Sequence, residues 1–364
     1  MAGRIVLFGA TGYTGELTAR ALVARGAQPL LVGRSAQRLE GLANQLGGMQ
    51  TAVADVTATD AAATLAALLS PGDVLVSTVG PFVRWGKPAL QAALDSGAHY
   101  IDSTGEAPFI RTVFEAHDDA ARDAGVGLLT AFGYDYVPGN LAGAAALREA
   151  GERAVGVDIG YFVGGGAQSS GGTRASAAGM LAEPAYAFSG GRLVTQRTAR
   201  HVRSFDGRQA VSIGATEQFA LPRVHPGLRD ARVWLGWSGP ASRPLQAISA
   251  ATSVATRLPG VRAAIEATAG RFVKGSTGGP DAATRARARS FIVAIASDDA
   301  GAPLATVRLE GDNPYDFTGS VLAWGAIGAA AGELRGTGAL GPVDAFGLEA
   351  LADGVAGAGI APRT

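Results

Sequence analysis

Three glycines in the pattern G-x-x-G-x-x-G, Gly9, Gly12 and Gly15, follow directly behind the apolar run Ile5-Val-Leu-Phe8. Residues of this kind, in this order, hold a pyrophosphate. A short buried strand leads into a tight turn: one glycine permits the turn, one removes a side chain that would keep phosphate away, and one lets the next helix pack close to the strand. The helix amino terminus then offers N–H groups and a positive dipole end to phosphate oxygens. Thr11, Tyr13 and Thr14 fill the gaps and belong to the same candidate cradle. The chain has 53 glycines, so the triplet gains its weight from its place between a strand and a helix.

A second group of residues bears on which dinucleotide is held. The end of the second strand normally carries an Asp or Glu that accepts from the adenosine ribose 2′-hydroxyl. Here it reads Val32-Gly-Arg34-Ser35. A guanidinium pairs with a 2′-phosphate bidentately and stacks on adenine, so Arg34 points to NADP(H) rather than NAD; the plain alternative is a solvated helix-start residue. Asp55, after the third strand, either faces the adenine ring or is an ordinary turn residue. Thr78, Val79, Gly80 and Phe82 follow the fourth strand and are candidates for lining the nicotinamide ribose, because ligands of open α/β sheets lie at the carboxyl ends of strands.

The third group supplies protons. Tyr134, Asp135 and Tyr136 decorate the exit of the sixth strand, and Asp102 and Glu106 flank the exit of the fifth. A buried carboxylic acid with a raised pKa can protonate a carbanion or bind a developing ammonium, and a tyrosine can donate without such tuning. Other chemistries lack their residues. Cysteine is absent, which removes disulfides, thiol nucleophiles and thiolate metal sites. The four histidines stand singly without ligand spacing, so no metal is expected. No tyrosine has a lysine four residues on, which excludes the short-chain reductase pair, and no G-x-S-x-G elbow accompanies a strand. What remains is hydride transfer, in which the cofactor does the hard step and the protein orients it and supplies a proton.

The elements that must position these groups form a doubly wound pattern. Apolar strand-length runs near 5–8, 28–32, 50–54, 73–78, 99–102 and 126–130 alternate with helical stretches at 14–26, 36–46, 58–69, 87–96 and 108–124. The fold class is therefore α/β: a Rossmann doubly wound parallel sheet over residues 1–150, an NADP-binding domain. From 155 the pattern turns to alternation, which starts a second α+β domain with a mixed or antiparallel sheet, 151–316, for substrate binding and dimerisation. Its expected strands lie at 155–163, 192–196, 209–214, 231–237, 289–296 and 304–309, with helices at 174–181 and at 243–273, broken at Pro259-Gly260. The carboxyl-terminal helices, 321–334 and 344–353 within 317–364, are candidates to return to the first domain.

Composition fits this plan. The 364 residues, 47% hydrophobic and 17% charged, suffice for two cores. A formal charge of +0 gives no reason to expect nucleic acid, and small molecules are the expected partners, with a homodimer as a candidate assembly. No run reaches the length of a membrane span and no signal-peptide pattern opens the chain, so a cytoplasmic location without a strong membrane anchor is expected.

Gly9-Ala-Thr-Gly-Tyr-Thr-Gly15, Val32-Gly-Arg34, Val79-Gly-Pro-Phe82 with Gly86 and Pro88, Tyr100-Ile-Asp-Ser-Thr-Gly-Glu106 and Gly133-Tyr-Asp-Tyr-Val-Pro138 together resemble the saccharopine dehydrogenase-like NADP-binding oxidoreductases. Within that group they look most like the bacterial trans-acting enoyl reductases, and Ser170-Gly-Gly-Thr173 resembles its second-domain motif. The resemblance implies the two-domain fold, NADP(H), and reduction of either an imine or a C=C bond of a lipid or polyketide chain. Tyr136 and Gly139-Asn140 depart from the small and acidic residues commoner there. The expected activity is an NADPH-dependent reductase that delivers hydride to a polarised C=C or C=N bond in an interdomain cleft. The alternative is a catalytically silent NADP-binding scaffold or sensor that docks to a partner or a lipid surface.

Overall fold

The computed structural model describes residues 3–165, 170–171, 183–237, 239–256 and 278–363. They divide into two compact units. The first comprises residues up to Thr104, Phe109–Asp135 and Pro314–Gly359. Its strands are β1 (Ile5–Phe8), β2 (Leu30–Gly33), β3 (Thr51–Val53), β4 (Val74–Ser77), β5 (His99–Asp102) and β6 (Gly127–Leu129). They lie in the order β3-β2-β1-β4-β5-β6, with the two-residue strand Gly338–Ala339 beyond β6, and every pairing is parallel. The expected Rossmann sheet is thus present. All four residues of β1 and of β4 are buried, as strands covered on both faces require. Chain order reverses between β1 and β4, and that switch point places the exits of β1, β4, β5 and β6 along one edge.

Helix boundaries differ from the sequence reading where the local signal is weak. The stretch 58–69 is helical only over Ala61–Ala66, and 108–124 breaks at His117 into Ala107–Ala116 and Asp118–Asp123. The last helical region breaks at Gly347, φ +80°, into Pro342–Phe346 and Leu348–Gly357. The helix Pro314–Ala330 returns to the first unit beside α1 (Tyr13–Ala24). Gly319 permits that approach, since a Cβ there would lie 3.0 Å from Leu17. The return ends at Gly359, because Ile360–Pro362 pair with a strand of the second unit.

That second unit comprises Gly105–Pro108, the described residues of 136–313, and the chain from Ile360. Its strands are β7 (Gly156–Gly164), β8 (Pro184–Ser189), β9 (Arg192–Arg197), β10 (Val202–Phe205), β11 (Arg208–Ile213), β12 (Asp230–Leu235), β13 (Arg289–Ser297) and β14 (Pro303–Gly311). The main path runs β10-β11-β12-β7-β13-β14 and ends on Ile360–Pro362; β12 and β7 run parallel and the other pairs antiparallel, a mixed sheet. The sequence reading missed β8 and β10. Each forms a two-residue hairpin whose turn demands positive φ: Gly190-Gly191 at +62° and +76°, and Asp206-Gly207 at +48° and +83°.

The helix Val137–Ala150 packs on β7, β13 and β14 and so belongs to this unit, ahead of the boundary placed at 150 from the sequence. Gly143 makes the packing close: a Cβ there would lie 2.8 Å from Leu221 and 2.9 Å from Ile159. The opposite sheet face buries Phe162, Phe205, Trp234 and Val293. Asp158, buried on β7, accepts from Trp234 Nε1 at 2.8 Å and pairs with Arg203. The expected helix 174–181, the 257–273 part of the expected helix 243–273 and Gly172-Thr173 lie outside the described residues. Within that second helix, Ser242–Ala255 is helical.

Candidate functional site

The three glycines of the β1 exit do three different things. Gly9 takes φ +86° and turns the chain; a Cβ there would lie 2.7 Å from Thr78 Oγ1 and 2.8 Å from Val79. Gly15 faces inward, where a Cβ would overlap the Gly9 carbonyl, so it sets the distance between helix and strand. Gly12 is the N-cap of α1 with no side-chain cap, and around its Cβ position only the Gly9 oxygen comes within 4 Å, at 3.2 Å. The middle glycine is the least enclosed of the three, which fits the division of labour expected of a pyrophosphate cradle. Thr11, Tyr13 and Thr14 are half-buried around it.

Neighbouring strands brace the turn. Thr78 Oγ1 donates toward the carbonyls of Phe8 and Gly9, at 3.1 and 3.2 Å, and Gly9 N donates to Val32 at 2.9 Å. Val79 and Gly80 are half-buried on the β4 exit; Gly80-Pro81 is cis, and Phe82 opens the following helix, buried against Phe109 at 5.7 Å. Arg34 is exposed just beyond β2, where its charge acts on Asp55. Asp55 is also exposed, and its carboxylate accepts from the amide and hydroxyl of Thr57 at 2.9 and 2.8 Å. Those two bonds hold its pKa below the usual value, so Asp55 has the geometry of a turn residue.

Two residues beside the cradle carried no notice in the sequence reading. Arg38, on the first turn of α2 (Ala36–Gln45), donates from its guanidinium to the Thr11 carbonyl at 2.6 Å. Tyr315 comes from the returning helix and stacks edge-on against Tyr13 with ring centres 5.2 Å apart. Nothing local in the sequence connects those two tyrosines.

Farther along the same edge, Asp102 ends β5 in register with Ser77 and is fully buried. Its Oδ1 accepts from the amides of Thr104 and Ala131, at 2.8 and 2.9 Å, and its Oδ2 from the Thr130 hydroxyl at 2.8 Å. Burial outweighs those bonds and lifts its pKa to about 6. Neighbouring Tyr100 is pushed well up as well, by burial first and then by the charge of Asp102. Ala131, held by Asp102, has φ +55°, in the region that favours glycine.

This bend delivers the decorated loop. Tyr134 is 2% exposed, its amide donating to Thr318 Oγ1 at 3.0 Å and its ring set edge-on to Phe317. Asp135 is half-buried as a residue, but its Oδ1 is fully buried without a hydrogen-bond partner, and burial raises its pKa to about 7. Tyr136 opens the second unit, buried, with its hydroxyl donating to the Gly105 carbonyl at 3.3 Å. Glu106 is buried nearby in sequence, 5% exposed. The structure thus aligns the cradle, the β4 exit, Asp102 and Asp135 on consecutive strand exits of one sheet.

Among the described residues, no group of three metal-ligating side chains assembles and no helix is long and apolar enough to cross a membrane.

Comparison with known proteins agrees with this geometry. Residues 5–129 match the family model described as the saccharopine dehydrogenase NADP binding domain, which bears out both the resemblance and NADP(H) for that stretch. A trans-acting enoyl reductase of Mycobacterium tuberculosis is 38% identical over 141 residues, and one of Mycobacterium ulcerans 37% over 143. Each alignment covers 38% of this chain and 34% of the relative, so the likeness spans about a third of either protein. Among solved structures, apo saccharopine dehydrogenase (L-Glu forming) from Saccharomyces cerevisiae aligns over 97% of this chain and 96% of its own, with a TM-score of 0.54 and 12% identity. That last likeness shows the α/β fold.

Proposed function

Proceeding from a first unit whose residues 5–129 match an NADP-binding domain, we propose that the protein is an NADPH-dependent reductase of a polarised C=C or C=N bond. When bound, NADPH supplies the hydride. The observation that carries the reading is Asp135. A carboxyl with a buried, unpartnered oxygen and a pKa of about 7 stands at the edge of the sheet that bears the glycine cradle. An acid of that strength is half protonated near neutrality, the condition for efficient proton donation. Asp135 gives its proton to the carbon or nitrogen beside the one that accepts hydride. Asp102, with both oxygens committed, acts as the brace of the loop rather than as the donor. A C=C substrate, enoyl and lipid- or polyketide-like, is favoured over a saccharopine-like imine by the names of the relatives with the higher sequence identity.

In this reading Gly12 and the first turn of α1 receive the pyrophosphate, Thr78 to Phe82 line the nicotinamide ribose, and Arg34 pairs with the 2′-phosphate. Replacing Arg34 with Ala is expected to weaken NADPH by about 1–3 kcal/mol, roughly 5- to 150-fold, while NADH affinity stays put. Fluorescence titration of both nucleotides checks this; NADH binding as tightly as NADPH in the wild type would remove Arg34 from the site. The reaction itself is tested by following NADPH absorbance with a crotonyl thioester and with 1-piperideine. Oxidation with neither would overturn the reductase reading.

A further inference from the structure

The helix Pro314–Ala330 runs alongside α1 and in the same direction. Tyr13 meets Tyr315, and one turn further along each helix Leu17 meets Gly319. At the far end the Ala330 carbonyl accepts from Gly3 N at 2.8 Å, so this helix finishes at the entry of β1 and starts at its exit, as α1 does. Both first turns therefore stand level at the edge that carries the cradle. Tyr13 is the first residue of α1, next to Gly12, and Tyr315 the second residue of its own helix. Each is half-buried, and the rings meet edge-on, with 5.2 Å between centres and 83° between planes.

Tyr315 is held in turn from the β6 exit. Thr318 Oγ1 accepts from Tyr134 N at 3.0 Å and donates to the Pro314 carbonyl at 2.6 Å, which ties the first turn of the helix to that exit. Phe317 is buried edge-on to Tyr134, and a Cβ on Gly133 would lie 2.9 Å from the Thr318 methyl. A fixed ring thus packs against the ring that follows Gly12, the least enclosed of the three glycines. Without a partner ring the Tyr13 side chain is left with more than one staggered rotamer, and binding then has to select one at a cost in affinity.

We propose that Tyr315 is a positioning residue of the NADP(H) site, whose ring fixes Tyr13 so that the dinucleotide meets a first turn of α1 already in its binding shape. The proposal rests on the reading that Gly12 and the first turn of α1 receive the pyrophosphate. It extends the cofactor site beyond residues 5–129, to a helix that the chain reaches only after the strands of the second unit. Tyr315 acts through Tyr13 alone and so affects NADPH and NADH alike, whereas Arg34 acts on NADPH.

Fluorescence titration of the full chain with both nucleotides tests this. Tyr315→Ala is expected to weaken NADPH and NADH equally, by about 3- to 10-fold, the effect of losing one aromatic pair and having to order one side chain. Tyr315→Phe keeps the ring and is expected to bind both within about twofold of wild type. Arg25→Ala breaks the 2.8 Å hydrogen bond from Arg25 to Ser320 between the same two helices and is expected to leave both affinities unchanged. In the Tyr13→Ala background, Tyr315→Ala is expected to weaken binding no further, because the two residues act as one unit. Unchanged affinity in Tyr315→Ala, a loss confined to NADPH, an equal loss in Arg25→Ala, or a full additional loss in the double variant overturns the positioning role and leaves the cradle in place. NADPH bound as tightly by Gly12→Val as by wild type removes the pyrophosphate from Gly12, and the positioning role with it. Thermal melts separate a lost fold from a lost site, and if Tyr315→Ala does not fold, Tyr315→Leu takes its place with the same expectations.

Discussion

Asp135→Asn is expected to lower the rate of substrate reduction by about 10²- to 10⁴-fold, the range for loss of a general acid, while making the folded protein more stable at neutral pH. Both effects come from one cause. Burial keeps the carboxyl uncharged up to a pKa of about 7, against 3.8 as the ordinary value. A carboxyl whose folded pKa is raised contributes stability that is complete below the unfolded pKa and lost as pH rises through the folded one. Wild-type protein therefore loses stability between about pH 4 and 7 on account of Asp135, and the Asn variant does not. At pH 8 the variant should be more stable by an amount on the order of 4 kcal/mol, and at pH 4 the two should nearly coincide. Urea unfolding at the two pH values measures this without any substrate. The rate carries the same signature: wild-type kcat should fall as pH rises through about 7, when the donor has lost its proton, and that limb should vanish in the variant. A variant that is both slow and no more stable at pH 8 would mean that the carboxyl is hydrated, and the buried-acid mechanism would fail. The trade is the usual one at functional sites, where a strained or desolvated group costs stability and provides chemistry.

The parts of this site that could be read from the sequence were those in which a local pattern has one physical use. Gly9, Gly12 and Gly15 follow a four-residue apolar strand, and each meets a different constraint in the structure. The strand exits were legible for the same reason, since polar side chains gather where buried strands end. Two hairpins were equally legible and were missed: Gly190-Gly191 and Asp206-Gly207 are ordinary type I′ signals, masked by a composition in which glycine is everywhere. Arg38 was passed over because its value lies in reaching back to Thr11, a contact across the cradle that helix spacing alone does not announce. Tyr315 was out of reach altogether. Its partner, Tyr13, is set beside it by tertiary packing, and no periodicity links positions so far apart. The Ala and Gly rich helix Val137–Ala150 was given to the wrong side of the boundary because small residues carry no sign of which surface they approach; Gly139 and Gly143 reveal it only through what a Cβ would strike.

Asp102→Ala is expected to be the most destabilising single change at the site. The carboxylate is fully buried and supplies acceptors for three donors, Thr104 N, Ala131 N and Thr130 Oγ1. Its own carbonyl receives Phe132 N at 2.7 Å, so four bonds from one residue fix the start of the loop that ends in Asp135. Alanine strands three donors, at about 1–3 kcal/mol each when they stay buried, and frees Ala131 from a φ of +55° that a residue with a Cβ adopts only under constraint. Three such losses come to about 3–9 kcal/mol, less the strain released at Ala131, a large share of the stability of a typical domain. Its pH dependence runs opposite to intuition for a bonded carboxylate. Burial raises the Asp102 pKa from 3.8 to about 6, so its stabilising contribution is complete below pH 4 and declines as pH rises through 6. The loss in Asp102→Ala should therefore be greater at pH 5 than at pH 8, whereas Asp102→Asn, which keeps an oxygen for the Thr104 and Ala131 amides, should stay close to wild type at pH 5. Denaturant unfolding of both variants at the two pH values decides it. If Asp102→Ala unfolds within about 1 kcal/mol of wild type at pH 5, the loop takes its shape from elsewhere, and Asp102 returns as a rival to Asp135 for the proton.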